Sequence, residues 1–292
     1  MNYKKPQKAV ITDAGLASRF LPLTKTIPKG LLPLGSRPII ELVIEECAAA
    51  GIKEILLVVS DRSKPLYEHY FTDPAESAYT LLSSQGKLDR FAPVSHVLND
   101  LPEIKLVIQD PSYPYGNGSP IASVKDYIDP DEAFIALWSD DVVFGDSAVK
   151  DLLAAFEKHP DALAILGCQE VPHAEIKKYA SVDFDPETEI LNDLIEKPEP
   201  DSAPSDLASY GRYLLTPEIF TYLKPENTGK DNELWLPEMI ARLVPTQKVF
   251  AKKTSGLWMT TGDPRNYSLA LAKHILDSEP FADEFRDFVK NN

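Results

Sequence analysis

One stretch of the sequence, DAGLASRFLPLTKTIPKG at residues 13–30, combines a glycine with three cationic side chains. Gly15 permits a tight turn and a close approach of the backbone to an anion, and backbone N–H groups in such a loop can bind phosphate oxygens. Arg19, Lys25 and Lys29 add positive charge, and a guanidinium can contact two phosphate oxygens at once. The loop therefore indicates binding of a phosphate chain; the structural alternative is a plain turn with solvated lysines.

Apolar, β-branched runs surround this loop at the spacing of an open α/β sheet. The run KAVIT at 8–12 ends where the loop begins, and such sheets bind ligands at the carboxyl ends of their strands. Pro38 begins a predicted helix that Gly51 ends. Further strands are predicted at 54–60, 103–109, 133–138 and 162–171, and further helices at 119–128, about 148–158, 233–243 and 264–276.

The order of these elements predicts an α/β fold with a Rossmann-like, doubly wound and mostly parallel sheet, because a strand–helix–strand opening forms a parallel crossover. Shorter strands at 179–185, 189–197 and 209–215 indicate a smaller mixed region packed against the first half. We expect one domain over residues 1–292, dividing at about residue 170. The segment 76–101 is the least regular and is interpreted as an insertion or a lid.

Charge is unevenly distributed along the chain. The net charge of −15 argues against a nucleic-acid or membrane partner. Residues 1–40 carry seven basic residues and one acid, a net charge of +6, and the remainder carries −21. A basic segment on an acidic body suits a local polyanion. No apolar run approaches the ~18 residues that span a bilayer, so we expect a cytoplasmic protein with Cys47 and Cys168 reduced and buried.

The motifs are specific enough to indicate a family. KAVITDAGLASRFLPLTKTIPKGLLPL at 8–34 resembles the opening signature of the sugar-phosphate nucleotidyltransferases and is most similar to that of bacterial UTP–glucose-1-phosphate uridylyltransferases. Four further stretches resemble successive segments of that family, so the resemblance covers nearly the whole chain. They are GSRPIIELVIEECAAAGIKEILLVVS, YGNGSPIASVKDYI, LWSDDVVFG and IEKPEPDSAPSDLASYGRYLLTPEIF.

The resemblance implies that a sugar-1-phosphate oxygen attacks the α-phosphorus of UTP and pyrophosphate leaves. Such chemistry depends on in-line positioning and on charge neutralisation. Arg19 matches the arginine that contacts the leaving phosphates, and Lys29 matches the lysine that stabilises the phosphoryl centre. Asp140 matches a carboxylate that holds Mg²⁺, which prefers oxygen ligands. The resemblance further implies a nucleotide-binding half before about residue 170, a sugar-binding half with C-terminal helices after it, and a homo-oligomer.

The other implied contacts divide between the two substrates. Nucleotide-binding positions match Ala14, Gly15, Gln109 and Gly116, and sugar-phosphate positions match Ala180, Glu196 and Lys197. Each has a structural alternative. Asp140 is also suited to begin a turn or cap a helix, the glycines suit turns, and a Glu-Lys pair is often exposed hairpin charge.

Five positions depart from the family pattern at or near the implied site. Ala17 replaces a glycine, which at a positive φ costs roughly 1–2 kcal/mol, and Asp13 brings a carboxylate beside the phosphates. Gly30 replaces an acidic residue, and Ala180 replaces a glycine that approaches the sugar. Thr260 replaces a second metal-binding aspartate. Threonine is a poorer Mg²⁺ ligand than aspartate. Losing even a residue that only hydrogen-bonds to a metal ligand lowers metal affinity or activity about 10- to 100-fold.

Three functional hypotheses follow. The first is an active nucleotidyltransferase that makes UDP-glucose or a close analogue. The second, favoured by Thr260, Ala17 and Asp13, is a catalytically weak paralogue that binds nucleotide sugar or modulates an active relative. The third is a glycosyltransferase that uses a nucleotide sugar, suggested by Ser-Asp-Asp at a strand end; the LPLTKTIPKG loop argues against it.

Overall fold

A computed structural model describes residues 3–291, which form thirteen β-strands and nine α-helices. The strands are β1 (Lys8–Asp13), β2 (Pro33–Leu34), β3 (Arg37–Pro38), β4 (Glu54–Val59), β5 (Glu103–Ile108), β6 (Phe134–Trp138), β7 (Asp141–Phe144), β8 (Ala164–Glu170), β9 (Ala180–Phe184), β10 (Leu191–Glu196), β11 (Leu207–Leu215), β12 (Val249–Lys253) and β13 (Leu257–Thr260). The helices are α1 (Ile39–Ala49), α2 (Lys64–Thr72), α3 (Glu76–Ser84), α4 (Ala92–Asn99), α5 (Gly118–Ala122), α6 (Ala148–Lys158), α7 (Leu236–Ala241), α8 (Pro264–Ser278) and α9 (Ala282–Asn291).

Four strands of the first half form the parallel centre of the sheet, in the order β5-β4-β1-β6. Val10 in β1 lies opposite Leu56 in β4 and Ala136 in β6. β1, β4 and β6 are apolar runs because both of their faces are buried, whereas the edge strand β5 leaves Glu103, Lys105 and Ile108 exposed. Ala9 and Ile11 pack in the cluster that includes α1 and α6, whereas Val10 packs in the cluster that includes α5 and α7. Helices cover both faces, so the predicted doubly wound α/β fold is confirmed.

The long strand β11 joins the second half to this sheet. It runs antiparallel to β6, with Arg212 opposite Leu137, and its other edge pairs with β8. β9 and β10 extend the sheet as an antiparallel pair, and β12 pairs with β8 in parallel. The second half is therefore mixed, as the sequence predicted. One sheet runs through both halves of the chain. The functional division at about residue 170 stays a prediction.

The predicted helix over 119–128 is wrong in length. α5 ends at Ala122, and a 3-10 turn follows at Lys125–Tyr127. The Ser123 hydroxyl donates to the carbonyl oxygen of Ser119 at 2.8 Å and accepts from the Asp110 N–H at 3.0 Å. A serine that bonds back to the preceding turn bends a helix, which explains the early end.

The segment 76–101 is more regular than predicted. It forms α3, a 3-10 turn at Leu88–Phe91 and α4, and none of the residues in these elements is buried. Tyr79 and Phe91 pack edge to face, with ring centroids 5.3 Å apart. Because neither helix buries a face, the sequence lacks the apolar stripe by which helices are recognised. The interpretation of this segment as an insertion or lid stays a prediction.

The sequence analysis also missed a two-stranded ribbon. β7 and β13 have four residues each, too few to show a period, and they place Thr260 opposite Asp141. Cys47 and Cys168 are both buried, as predicted. Within residues 3–291, no helix has the length and apolar character needed to cross a bilayer.

Candidate active site

Lys29 and Asp140 form the centre of the candidate site. β1 and β6 are adjacent parallel strands, so the loops that leave their carboxyl ends lie side by side. Lys29 Nζ lies 2.5 Å from Asp140 Oδ2, and the two side chains are 16% and 23% exposed. Burial alone would lower the pKa of Lys29, but the carboxylates of Asp140 and Asp13 outweigh it and hold this pKa above its usual value. The lysine is therefore cationic and suited to neutralise a phosphoryl group.

Arg19 and Thr260 approach this centre from the other side. Arg19 Nη1 donates to the carbonyl oxygen of Gly262 at 3.4 Å. A methyl group at Gly262 would lie 2.9 Å from Asp140 Oδ2 and 3.2 Å from Thr260 Oγ1. It would also lie 3.9 Å from Arg19 Nη1. One small space is thus bordered by a carboxylate, a hydroxyl and a guanidinium.

Two nearby carboxylates are committed to structural contacts. Asp141 accepts hydrogen bonds from the Gly211 N–H at 3.0 Å and from Trp258 Nε1 at 2.8 Å. Burial, and then the charge of Asp140, raise the pKa of Asp141 to about 6. Asp263 accepts a hydrogen bond from a backbone N–H in the first turn of α8 at 3.0 Å, as the N-cap of that helix. Neither carboxylate takes the place of the missing aspartate.

The donors that remain fit a magnesium ion carried by a phosphate chain. Within residues 3–291, no group of three or more His, Cys, Asp or Glu side chains is placed to hold a metal. Mg²⁺ commonly binds one or two carboxylates together with substrate phosphates. Asp140 provides one carboxylate and Thr260 a hydroxyl, which is sufficient only when phosphate oxygens complete the set.

A first cavity, of about 380 Å³, lies beside the phosphate loop. The predicted nucleotide-binding residues all line it: Ala14, Gly15, Gln109 and Gly116. Gly116 has a φ of +134°, and a Cβ there would collide with the backbone of Leu234. The Tyr115 carbonyl oxygen accepts from the Leu234 N–H at 2.7 Å. A glycine is therefore needed at 116 for a contact within the protein.

The loop accommodates Ala17 and Asp13 in different ways. Ala17 has φ 51° and ψ 49°, the left-handed conformation that costs an alanine roughly 1–2 kcal/mol. Asp13 is 6% exposed, and burial raises its pKa. Its Oδ1 accepts from the Ser139 hydroxyl at 2.7 Å, and its Oδ2 accepts from the Gly30 N–H at 3.1 Å and from the Tyr67 hydroxyl. The Asp13 carboxylate is thus paired within the protein.

A second cavity, of about 620 Å³, lies on the side of β9, β10 and β11. It is lined by the predicted residues Arg19, Ala180, Glu196 and Lys197. Lys197 Nζ lies 3.6 Å from the centroid of the Trp235 ring, a cation–π contact, and 3.8 Å from Glu196 Oε1. The Glu196 side chain is 5% exposed, and burial raises its pKa to about 7. An anion and a hydroxyl donor could both be bound here.

The two cavities adjoin at the centre. They share the lining residues Asn117, Trp138, Asp140 and Trp235. Lys29 lines the first cavity, and Arg19 lines the second. All ten predicted site residues therefore border one cavity or both, and their individual roles stay predictions. Lys25, which the sequence grouped with these cations, is exposed and lines neither.

Sequence reasoning missed the aromatic and amide walls of the site. Trp138 ends β6 two residues before Asp140, and its place at the end of that strand could have identified it as a site residue. Asn117 lies between two glycines, a composition typical of a turn, yet its Oδ1 accepts from the Leu236 N–H at 2.8 Å. Trp235 had no local signal, because its position depends on long-range pairing of the neighbouring backbone with residues 115–118.

The chain is similar to known proteins along nearly its whole length. Residues 8–276 match the nucleotidyl transferase family. The UTP–glucose-1-phosphate uridylyltransferase 2 of Staphylococcus saprophyticus is 34% identical over 98% of both chains, and that of Streptococcus pyogenes is 32% identical over 98% of this chain and 95% of the relative. A solved UDP-glucose pyrophosphorylase complexed with UDP-glucose is 27% identical, with a TM-score of 0.78 over 92% of this chain and 98% of that one. A UTP-bound UGPase from Acinetobacter baumannii is 28% identical, with a TM-score of 0.83 over 98% and 99%.

Proposed function

This chain belongs to the nucleotidyl transferase family, and we propose that it transfers the uridylyl group of UTP to glucose 1-phosphate, giving UDP-glucose and pyrophosphate. The main support is the junction of two cavities at one lysine–aspartate pair. Two substrates bound there would meet at a fixed positive charge. The relatives named for this reaction, and the similar structures bound to UTP and UDP-glucose, support the choice of substrates.

In the proposed reaction UTP occupies the first cavity and the sugar phosphate occupies the second. An oxygen of the sugar phosphate attacks the α-phosphorus of UTP, the bond to the bridging oxygen breaks, and pyrophosphate leaves with that electron pair. No protein base is required, because the attacking phosphate oxygen is already ionised. The protein acts by positioning and by stabilising negative charge. Lys29 neutralises charge at the phosphoryl centre, and Arg19 contacts the leaving phosphates.

Substrate choice in the second cavity rests on two neighbouring side chains. Lys197 is held against Trp235 and would bind the phosphate of the sugar. Glu196 would accept hydrogen bonds from sugar hydroxyls, which is a demanding role because its charged form is disfavoured by burial. Ala180 lies opposite Glu196 in the β9–β10 pair, so its small side chain leaves room for the sugar ring.

We propose Mg²⁺ as the cofactor. Magnesium would offset the negative charge of the phosphates. Asp140 and the Thr260 hydroxyl would hold it together with the phosphates of UTP. One carboxylate is within the range that Mg²⁺ uses in sites of this kind, so the loss of a second aspartate is compatible with activity.

A weak, nucleotide-sugar-binding member of the family is the second candidate. It is favoured by one observation, that Thr260 borders the same space as Asp140, where a second carboxylate would strengthen metal binding. The two candidates differ in turnover and agree in binding.

The test is pyrophosphate release from UTP and glucose 1-phosphate with Mg²⁺, measured beside calorimetric binding of UTP and UDP-glucose. We expect release that requires both substrates and is abolished by EDTA. Binding without release would favour the second candidate. If the protein neither binds these ligands nor releases pyrophosphate, the assignment of UTP and glucose 1-phosphate as substrates is refuted.

Two broader properties accompany the proposal. The cytoplasm is the compartment that supplies UTP and sugar phosphates, and we place the enzyme there. A homo-oligomer is also proposed, with the C-terminal helix α9 as the docking element. Light scattering of the full chain and of a chain ending at residue 280 tests this, since truncation should lower the mass to that of a smaller assembly.

A further inference from the structure

Asp13 connects the two loops that carry the central ion pair. Its Oδ2 accepts from the N–H of Gly30, the residue after Lys29, at 3.1 Å. Its Oδ1 accepts from the hydroxyl of Ser139, the residue before Asp140, at 2.7 Å. One buried carboxylate is therefore hydrogen-bonded to the residues that directly adjoin Lys29 and Asp140.

The space next to Gly30 is already occupied. A Cβ at this position would collide with the Tyr67 hydroxyl and would lie 3.1 Å from Asp13 Oδ2 and 3.4 Å from Ile40 Cβ. The backbone of Gly30 is not in the left-handed region, unlike that of several other glycines. A glycine is thus required at position 30 because the side chains of Asp13 and Tyr67 leave no space for a Cβ, and not because of its backbone conformation.

Two departures from the family motif therefore meet at one point. The motif has an acidic residue where this chain has Gly30 and a small or apolar residue where it has Asp13. Each change looks unfavourable by itself: one removes a carboxylate beside the central lysine, and the other adds a carboxylate to a phosphate loop. In three dimensions the two positions are in contact, because the Asp13 carboxylate accepts a hydrogen bond from the Gly30 N–H.

We infer that Asp13 is a positioning residue for the Lys29–Asp140 pair and that Gly30 is its required counterpart. This inference rests on the proposed function to the extent that this pair is the catalytic centre. Asp13 acts through other residues, because its two oxygens are bonded to Gly30, Ser139 and Tyr67. Its effect is on geometry: a misplacement of about 1 Å near a reacting centre can cost about 100-fold in rate.

The first experiment compares two replacements of Asp13. Asparagine keeps the shape, accepts from the Gly30 N–H through its carbonyl oxygen and donates to the Ser139 hydroxyl through its amide. We expect Asp13→Asn to keep kcat within about threefold and Asp13→Ala to lower kcat about 10- to 100-fold, with the KM for glucose 1-phosphate little changed in both. Equal losses in the two variants, or no loss in Asp13→Ala, would overturn the inference.

A matched pair of tyrosines in α2 controls for general damage. Tyr67 donates to Asp13, and Tyr70 donates to Glu41 in the neighbouring helix α1. We expect Tyr67→Phe to lower kcat about threefold or more and Tyr70→Phe to leave it unchanged. If Asp13→Ala fails to fold, this pair still decides the question, since equal effects would contradict a role through Asp13.

The second experiment exchanges the two positions. We expect Gly30→Glu alone to have a lowered kcat because the glutamate side chain has no space at this position. The combined variant Asp13→Ala/Tyr67→Phe/Gly30→Glu removes both the carboxylate and the hydroxyl that border this space, so its kcat should exceed that of Gly30→Glu at least fivefold. A combined variant no better than Gly30→Glu would refute the inference that Asp13 and Tyr67 exclude a side chain at position 30.

A measurement without turnover separates this inference from the proposed function. Competitive labelling with acetic anhydride, read by mass spectrometry, reports the accessibility of Lys29 relative to the exposed Lys25. We expect Lys29 labelling to rise several-fold in Asp13→Ala and to stay at the wild-type level in Asp13→Asn. If wild type shows no uridylyl transfer, the proposed function fails while the labelling still tests the role of Asp13. Unchanged labelling in Asp13→Ala would overturn it.

Discussion

Replacing Thr260 by aspartate tests the geometry of the candidate metal site. A methyl group at Gly262 would lie 2.9 Å from Asp140 Oδ2 and 3.2 Å from Thr260 Oγ1, so a carboxylate at 260 would border the same space as Asp140. At an effective dielectric constant of about 20, two like charges about 5 Å apart repel by roughly 3 kcal/mol. The Lys29 cation and solvent screening reduce this. Without metal, we expect Thr260→Asp to lower the free energy of unfolding by about 1–2 kcal/mol.

Magnesium and nucleotide should reverse the effect. The melting temperature of Thr260→Asp in EDTA should lie a few degrees below that of Thr260→Asn, the neutral control of similar shape, since 1 kcal/mol corresponds to roughly 2–4 °C in a chain of this size. With Mg²⁺ and UTP the order should invert. The Mg²⁺ concentration for half-maximal turnover should fall about 10- to 100-fold relative to wild type. Equal melting temperatures in EDTA together with equal Mg²⁺ dependence would show that Thr260 does not border the same space as Asp140, and the reasoning would be refuted.

Three further outcomes are expected. Lys29→Ala or Asp140→Ala should abolish pyrophosphate release while the circular dichroism spectrum stays native. Lys25→Ala is the control and should retain activity. Release by Lys29→Ala or Asp140→Ala would refute the assignment of the central pair. Burial raises the pKa of Glu196 to about 7, above its value of about 4.3 in an unfolded chain, so this side chain makes the folded state lose stability as pH rises from about 4 to 7. Glu196→Gln should remove that loss, which is at most roughly 4 kcal/mol, and the difference in unfolding free energy between wild type and variant at pH 5 and pH 8 measures it; equal differences would contradict the buried position. Trp235→Leu removes the cation–π contact to Lys197 and should raise the KM for glucose 1-phosphate about 2- to 10-fold with kcat nearly constant, and an unchanged KM would mean that Lys197 is held by other contacts.

Local patterns in the sequence were sufficient for the parallel centre of the fold. β1, β4 and β6 are apolar runs buried on both faces, and α6 begins and ends at the predicted residues. Elements without such a pattern were misjudged. The helices of 76–101 bury no face, and the β7–β13 ribbon is stabilised by a partner more than a hundred residues away. Propensity within a short window carries no information about either.

The sequence by itself determined the cationic loop, the strand end that carries Asp140, and the family to which both point, because these depend on residue type and on spacing along the chain. Only the tertiary structure decided how the departures from that family act. Asp13 and Gly30 are 17 residues apart, and no sequence pattern links them, yet they share one hydrogen bond in a buried space. Thr260 and Asp140 come from strands and loops separated by more than a hundred residues and border the same gap. Hydrogen bonding and charge act over a few ångströms in space, and those neighbours are set by the packing of the whole sheet.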